Sequence, residues 1–186
     1  MKMVTHLFTD AGRTWRQAAK VNSQGRMIYE ALQKELQDTP TGRAMAKQIE
    51  ANAQYITSVP RDISQAMTKH IASRALAGMR PEAVAAELQK MYPHLSDVKA
   101  NLIARTEAAK TATALTQARC EEMGVKWYVW RTSEDSRVRE SHRYMDRVLV
   151  SWDDPPSPEQ LAGESHIYGH YHAGCIFNCR CYAAPL

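Results

Sequence analysis

The sequence predicts an α+β fold: a helical N-terminal region over residues 1–123, then a small mixed module over residues 124–186. Three observations carry this expectation. Apolar residues recur at helical spacing through the first two thirds of the chain. That spacing ends at Gly124, where the β-branched and aromatic run Val125-Lys126-Trp127-Tyr128-Val129-Trp130 begins. Three of the four cysteines then crowd the C-terminus, as Cys175, Cys179 and Cys181. With 186 residues, 44% hydrophobic and 24% charged, the chain can bury a real core, and disorder as the whole answer is excluded.

The elements follow in order. Residues 13–37 read as a helix through Trp15, Ala18, Ala19, Ile28, Ala31, Leu32 and Leu36, weakened at Gly25. Asp38-Thr39-Pro40-Thr41-Gly42 is a break. A second helix is expected from Arg43 to about Ser58, stopped by Pro60, and a third from Arg61 to Gly78 along Ile63, Met67, Ile71 and Ala75. Pro81 suits a first helical residue and opens a short helix over 81–91. Ser96 is a good N-cap with Asp97 in the favourable first turn, so an Ala-rich helix should run from 97 to about 123 and stop at Gly124.

Beyond Gly124, residues 125–130 look like a strand. Thr132-Ser133-Glu134-Asp135 reads as an N-cap signature opening a helix through about Tyr144. Val148-Leu149-Val150 is a second short strand, and residues 178–184 return as a third. The Pro-, Gly-, Ser- and His-rich stretch 153–174 reads as a loop.

Composition narrows the function classes. No apolar run approaches the ~18 residues of a membrane span, and the N-terminus lacks an apolar signal segment, so the expectation is a protein kept in the cytoplasm where it is made. Residues 1–118 carry 16 Lys and Arg against 10 Asp and Glu, while the remainder carries 8 against 10. The basic excess suits solvated helix faces, an acidic partner, or weak, salt-sensitive DNA binding without a base-reading element. Ala75–Met91 has a helix-turn-helix outline, but Glu82 and Glu87 suit core packing better than DNA.

Two constellations could carry chemistry. The first comprises Trp130, Thr132, Asp135, Arg137, Arg139 and His142. On one helix, Asp135, Arg139 and His142 would share a face. One reading is a small nucleic-acid-processing enzyme with His142 as general acid/base and Arg137 and Arg139 as a phosphate clamp. The other, expected because no second acid/base group stands nearby, is a structural polar network without catalysis. The second constellation is Cys175-x3-Cys179-x-Cys181. A reducing cytoplasm leaves zinc, free buried thiols or, less readily, a disulfide. Zinc would take the three thiolates and one imidazole, His142 by preference or His172, in a closed structural site. A module this small gains from such a staple.

Asn101-Leu102-Ile103-Ala104-Arg105-Thr106-Glu107, then Trp130-Arg131-Thr132, Asp135, Arg137-Val138-Arg139, His142 and Met145-Asp146, and finally Asn178-Cys179-Arg180-Cys181 with Pro185, together resemble the phage Mu protein F-like head morphogenesis family. The resemblance spans about residues 80–186. It implies a minor head (minor capsid) protein of a tailed bacteriophage. Such a protein is made in the host cytoplasm and carried in the procapsid and virion. It acts in head assembly by contact with portal, scaffold or capsid proteins, in some cases with DNA, and has no catalytic role. The family's fused toxin or nuclease domains, which lie beyond the C-terminal motif, are not expected in a chain ending at Leu186. Two departures stand out. Asp146-Arg147 replaces an Asp-Gly turn, so a different turn is expected, and Ala173-Gly174-Cys175-Ile176-Phe177 replaces a Pro- and His-rich lead, with Cys175 in the place of a nearby histidine.

Overall fold

The computed structural model describes residues 40–56 and 60–186. The helix expected over 13–37 lies outside them. Among the described residues four helices come first: α1 (Pro40–Tyr55), α2 (Arg61–Leu76), α3 (Pro81–Met91) and α4 (Asp97–Met123). β1 (Trp127–Arg131), α5 (Glu140–Tyr144), β2 (Leu149–Ser151), α6 (Pro158–Leu161) and β3 (Tyr182–Pro185) follow, so the chain is α+β with helices first and a small sheet after them.

The helix ends obey local chemistry. The Ser96 hydroxyl accepts the Lys99 N–H at 3.4 Å and caps α4, and Pro81 opens α3. Gly124 closes α4 in the left-handed conformation at φ +72°, with its own N–H on Glu121 and that of Val125 on the Cys120 carbonyl, the paired bonds of a Schellman end.

Met67, Ile71, Val84, Leu88, Leu95, Ala100, Ile103 and Ala104 form one aliphatic core between α2, α3 and the first half of α4. A second core gathers Cys120, Tyr128, Trp130, Met145, Val150, Trp152, Ile176, Cys179 and Cys181. α4 serves both. Its 27 residues extend about 40 Å, and its buried positions run from Ala100 and Ile103 to Ala118 and Cys120 on faces that change along its length.

The sheet has the order β2-β1-β3, antiparallel throughout, with Val129 opposite Leu149 on one side and Ala184 on the other. Tyr128 and Trp130 point into the second core while Trp127 is exposed, as the two-residue period requires. The loop after Trp152 is ordered by long-range bonds, among them Tyr171 N–H to the Pro156 carbonyl at 3.0 Å, and contains the single turn of α6. At Gly174, φ is +87° and a Cβ would sit 2.8 Å from the Thr113 hydroxyl. Only glycine lets this segment lie so close to α4.

Two expectations are corrected. Pro40-Thr41-Gly42, expected in a break, are the first residues of α1, which proline opens. Residues 132–139 are not helical, and α5 begins only at Glu140. The polar side chains that resemble an N-cap instead bind elsewhere. Asp146 Oδ1 accepts the Thr132 N–H at 2.8 Å and its hydroxyl at 3.2 Å, and the Asp135 carboxylate accepts the Arg137 N–H at 2.9 Å in a local turn. Such bonds compete with helix formation. Asp135, Arg139 and His142 therefore do not share a helix face. The 146–147 turn also has its own solution: Arg147 adopts the left-handed conformation itself, at φ +67°.

Candidate metal centre

α5 is short, but it sets His142 into the second core, where the imidazole is 1% exposed and meets the Trp130 indole edge-on at 5.6 Å between centroids. The chain entering β3 brings Cys179 and Cys181 to the same point, both buried. The spacing of two lets Arg180, between them, turn outward and pair with Asp135. His142 Nδ1 lies 3.5 Å from Cys179 Sγ and 3.4 Å from Cys181 Sγ, and the three ligand atoms all fall within 4.8 Å of one another. The Cys181 N–H is directed at Cys179 Sγ at 3.4 Å.

The thiols behave as a pair sharing a proton. A hydrogen bond from Cys181 holds Cys179 well below its ordinary value, while the same bond and burial push Cys181 up. One buried imidazole nitrogen and two sulfurs, one already inclined to the thiolate, are a soft donor set suited to a thiophilic ion.

Behind His142 runs a second layer. Its Nε2 is 2.9 Å from the Tyr171 hydroxyl, which in turn bonds to the carboxylate of Glu159 on α6. Glu159 is 0% exposed. Burial, then Glu159, raises the Tyr171 hydroxyl well above its ordinary value, so the phenol keeps its proton. Sequence reasoning misses Glu159 and Tyr171. They stand in an aperiodic loop, where the only local signal is Pro158-Glu159 opening a turn.

The other expected residues are dispersed. Trp130 and Thr132 are buried, the latter fastening β1 to Asp146. Burial pushes the Asp135 carboxyl up, but the Arg137 N–H and the Arg180 guanidinium outweigh it and hold the carboxyl below its ordinary value. The Asp135 partner is thus Arg180, not Arg139. Arg139 instead donates to the Phe177 carbonyl at 2.9 Å and covers the Phe177 ring at 4.7 Å. Arg137 is exposed. Cys175 stands outside the His142–Cys179–Cys181 group, half-buried, and desolvation pushes its thiol up to about 12. His172 faces the Tyr128 hydroxyl at 3.2 Å and the Trp152 ring, and burial lowers it.

The segment Arg105-Thr106-Glu107 meets the cysteine motif directly. Arg105 donates to Asn178 Oδ1 at 3.1 Å, and the Asn178 N–H donates to the Thr106 hydroxyl at 2.9 Å. Glu107, buried, is raised by desolvation against the opposing pull of Lys110, 3.2 Å away.

Among known proteins, an uncharacterized protein of Haemophilus influenzae is 35% identical over 134 residues. The match covers 72% of this chain and 26% of that relative, so the chain spans about a quarter of the relative's length. No solved structure matches. Residues 61–184 match the family described as Phage Mu protein F like protein, a span that begins at α2 and takes in the aliphatic core apart from Ile56, the whole second core and the His142–Cys179–Cys181 group. The chain belongs to this family of phage head-related proteins.

Proposed function

We propose that the protein is a non-catalytic component of a bacteriophage head, acting during capsid assembly through contacts with portal, scaffold or major capsid protein. The observation that carries this reading is the family match across residues 61–184. Both nitrogens of His142, the strongest acid/base candidate, are engaged inside the core, Nδ1 by the cysteines and Nε2 by Tyr171. Neither faces solvent where a phosphodiester would approach, and Arg139 is spent on Phe177. With the Trp130 ring against His142, Thr132 on Asp146 and Asp135 on Arg180, these engagements support a structural role for Trp130, Thr132, Asp135, Arg139 and His142, to which Arg137 adds its backbone N–H. Among the described residues no helix is long and apolar enough to cross a membrane, in keeping with a place in the procapsid and virion.

Within this role, zinc held by His142 Nδ1, Cys179 and Cys181 would tie α5 to β3 across the long loop and supply part of the module's folding energy. The fourth place is open to Cys175, provided its side chain moves, or to a small ligand. Co-expression with the portal and scaffold proteins of the same genome tests the assembly role. The expected result is co-purification of the chain with portal rings or procapsids, and its absence from both would overturn the reading. Nuclease activity abolished by His142→Ala would favour the enzymatic alternative.

A further inference from the structure

We propose that Glu159 and Tyr171 are positioning residues that fix the tautomer of His142, so that its Nδ1 lone pair points between Cys179 and Cys181. The proposal rests on the metal reading above but makes a claim of its own. It follows from hydrogen-bond bookkeeping along the buried line from Glu159 to Tyr171 to His142. The Tyr171 hydroxyl donates its single hydrogen to Glu159 Oε1. The phenol oxygen is then left as an acceptor toward Nε2, 2.9 Å away, and Nε2 must carry the ring hydrogen. Glu159 Oε1, at 3.8 Å from Nε2, favours the same placement electrostatically. In the neutral ring Nδ1 is then bare, and the two sulfurs it faces at 3.4 and 3.5 Å make it a ligand nitrogen.

The cost of this arrangement argues that it has a use. Glu159 is fully buried, and its Oε2 has no hydrogen-bond partner among the described residues. A buried polar oxygen left without a partner is costly, so its retention behind the ring calls for a use. Metal-bound imidazoles characteristically pass their other N–H to a carboxylate, directly or through a bridging group, and loss of that partner weakens metal affinity about 10–100-fold. Here the tyrosine is the bridge. The arrangement also explains why the Pro/Gly-rich loop is ordered, since it carries Glu159 and Tyr171, twelve residues apart, to the back of one ring.

Two measurements on the full chain test this. In the metal-free protein, nitrogen-15 chemical shifts of the His142 ring should show Nε2 protonated and Nδ1 bare. Zinc titration against a chromophoric chelator should show Tyr171→Phe binding about 10–100-fold more weakly than wild type. Glu159→Gln, which keeps the shape and a weaker acceptor oxygen, should fall between the two. A ring protonated on Nδ1 in the wild type would overturn the relay, and Tyr171→Phe binding zinc as tightly as wild type would overturn its positioning role. Should wild type take up no zinc at all, the metal reading fails, while the nitrogen-15 result still decides the tautomer. Cobalt substitution guards against misfolded variants. Sulfur-to-cobalt charge-transfer bands retained in Tyr171→Phe at saturating metal would show that both cysteines remain in place and that affinity alone has changed.

Discussion

The helical region and the C-terminal module reach stability by different routes. In the first, regular secondary structure does the organising. Met67, Ile71, Val84, Leu88 and Ile103 are brought together by helices whose hydrogen bonds are internal, and the core between them is aliphatic. In the second, three short strands and two short helices leave most of the backbone irregular, and side chains take over. Thr132 binds Asp146, Asp135 binds Arg180, Arg139 binds Phe177, and His142 stands between two cysteines and a tyrosine. All three non-glycine residues with positive φ among the described residues, Glu134, Arg147 and Asn178, lie in this module. A unit with little regular structure depends on a few specific polar links, and each can be removed singly, whereas an aliphatic core yields by degrees.

The largest expected effect comes from the buried histidine. His142→Ala, or strong chelator on the zinc-loaded wild type, should collapse the module's side-chain packing, because structural zinc contributes on the order of 10 kcal/mol of apparent binding energy to small folds. Trp127, Trp130 and Trp152 would report it through fluorescence and near-ultraviolet circular dichroism, while most of the far-ultraviolet helical signal persists. Unchanged tryptophan spectra in chelator would remove zinc from the comparison and leave Cys179 and Cys181 as buried thiols.

Leu88→Ala probes the other core. The side chain is fully buried on α3, and truncation should cost about 3 kcal/mol from lost transfer energy and the cavity left behind. The informative readout is whether the helical and tryptophan signals melt apart. A single shifted transition for both would mean that α4, which enters both cores, couples them into one cooperative unit, and the contrast would then concern construction alone.

The same contrast explains what is legible in the sequence. Helix positions follow from the 3.6-residue period and from end signals such as Pro81, Ser96 and Gly124, all of which act within a turn or two of where they stand. Of the site, His142, Cys179 and Cys181 are legible by residue type, because few other side chains bind soft metals. Spacing cannot separate Cys175 from them, since a few residues of loop can point a thiol anywhere. Glu159 and Tyr171 are invisible because their roles depend on contacts made across the fold. Thr132–Asp135 misleads because Thr, Ser and Asp satisfy backbone N–H groups equally well at a helix start and in a non-helical turn.

Asp135→Asn measures one of the module's polar links by pH. Its carboxyl is held below the ordinary value, so the pairing stabilises the fold above the unfolded-state value of about 3.9 and is lost as pH falls through the lower folded value. The variant should be less stable than wild type by about 1 kcal/mol at neutral pH, since the pair is partly exposed. The gap should close on acidification below about pH 4. A gap independent of pH would mean that lost packing, not charge, sets the cost.

The smallest effect has the opposite sign. Arg147 holds a left-handed conformation at φ +67° because its N–H must reach the Trp130 carbonyl at 2.8 Å while the Val148 N–H reaches that of Met145 at 3.0 Å. For a residue with a Cβ that conformation costs about 1–2 kcal/mol. Arg147→Gly removes the penalty but loosens the unfolded chain, a loss of about 0.5–1 kcal/mol. It also forfeits the 3.5 Å pairing with Asp146, which is worth little because the arginine is 74% exposed. The net expectation is a gain of about 0.5 kcal/mol, read as a rise in the midpoint of the tryptophan-detected unfolding transition. No comparable gain is expected from any substitution to glycine within α2 or α3, where it would cost about 1 kcal/mol. A destabilised Arg147→Gly would show that the arginine side chain contributes more to the turn than its exposure implies, and that the module's irregular backbone carries less strain than its φ angles suggest.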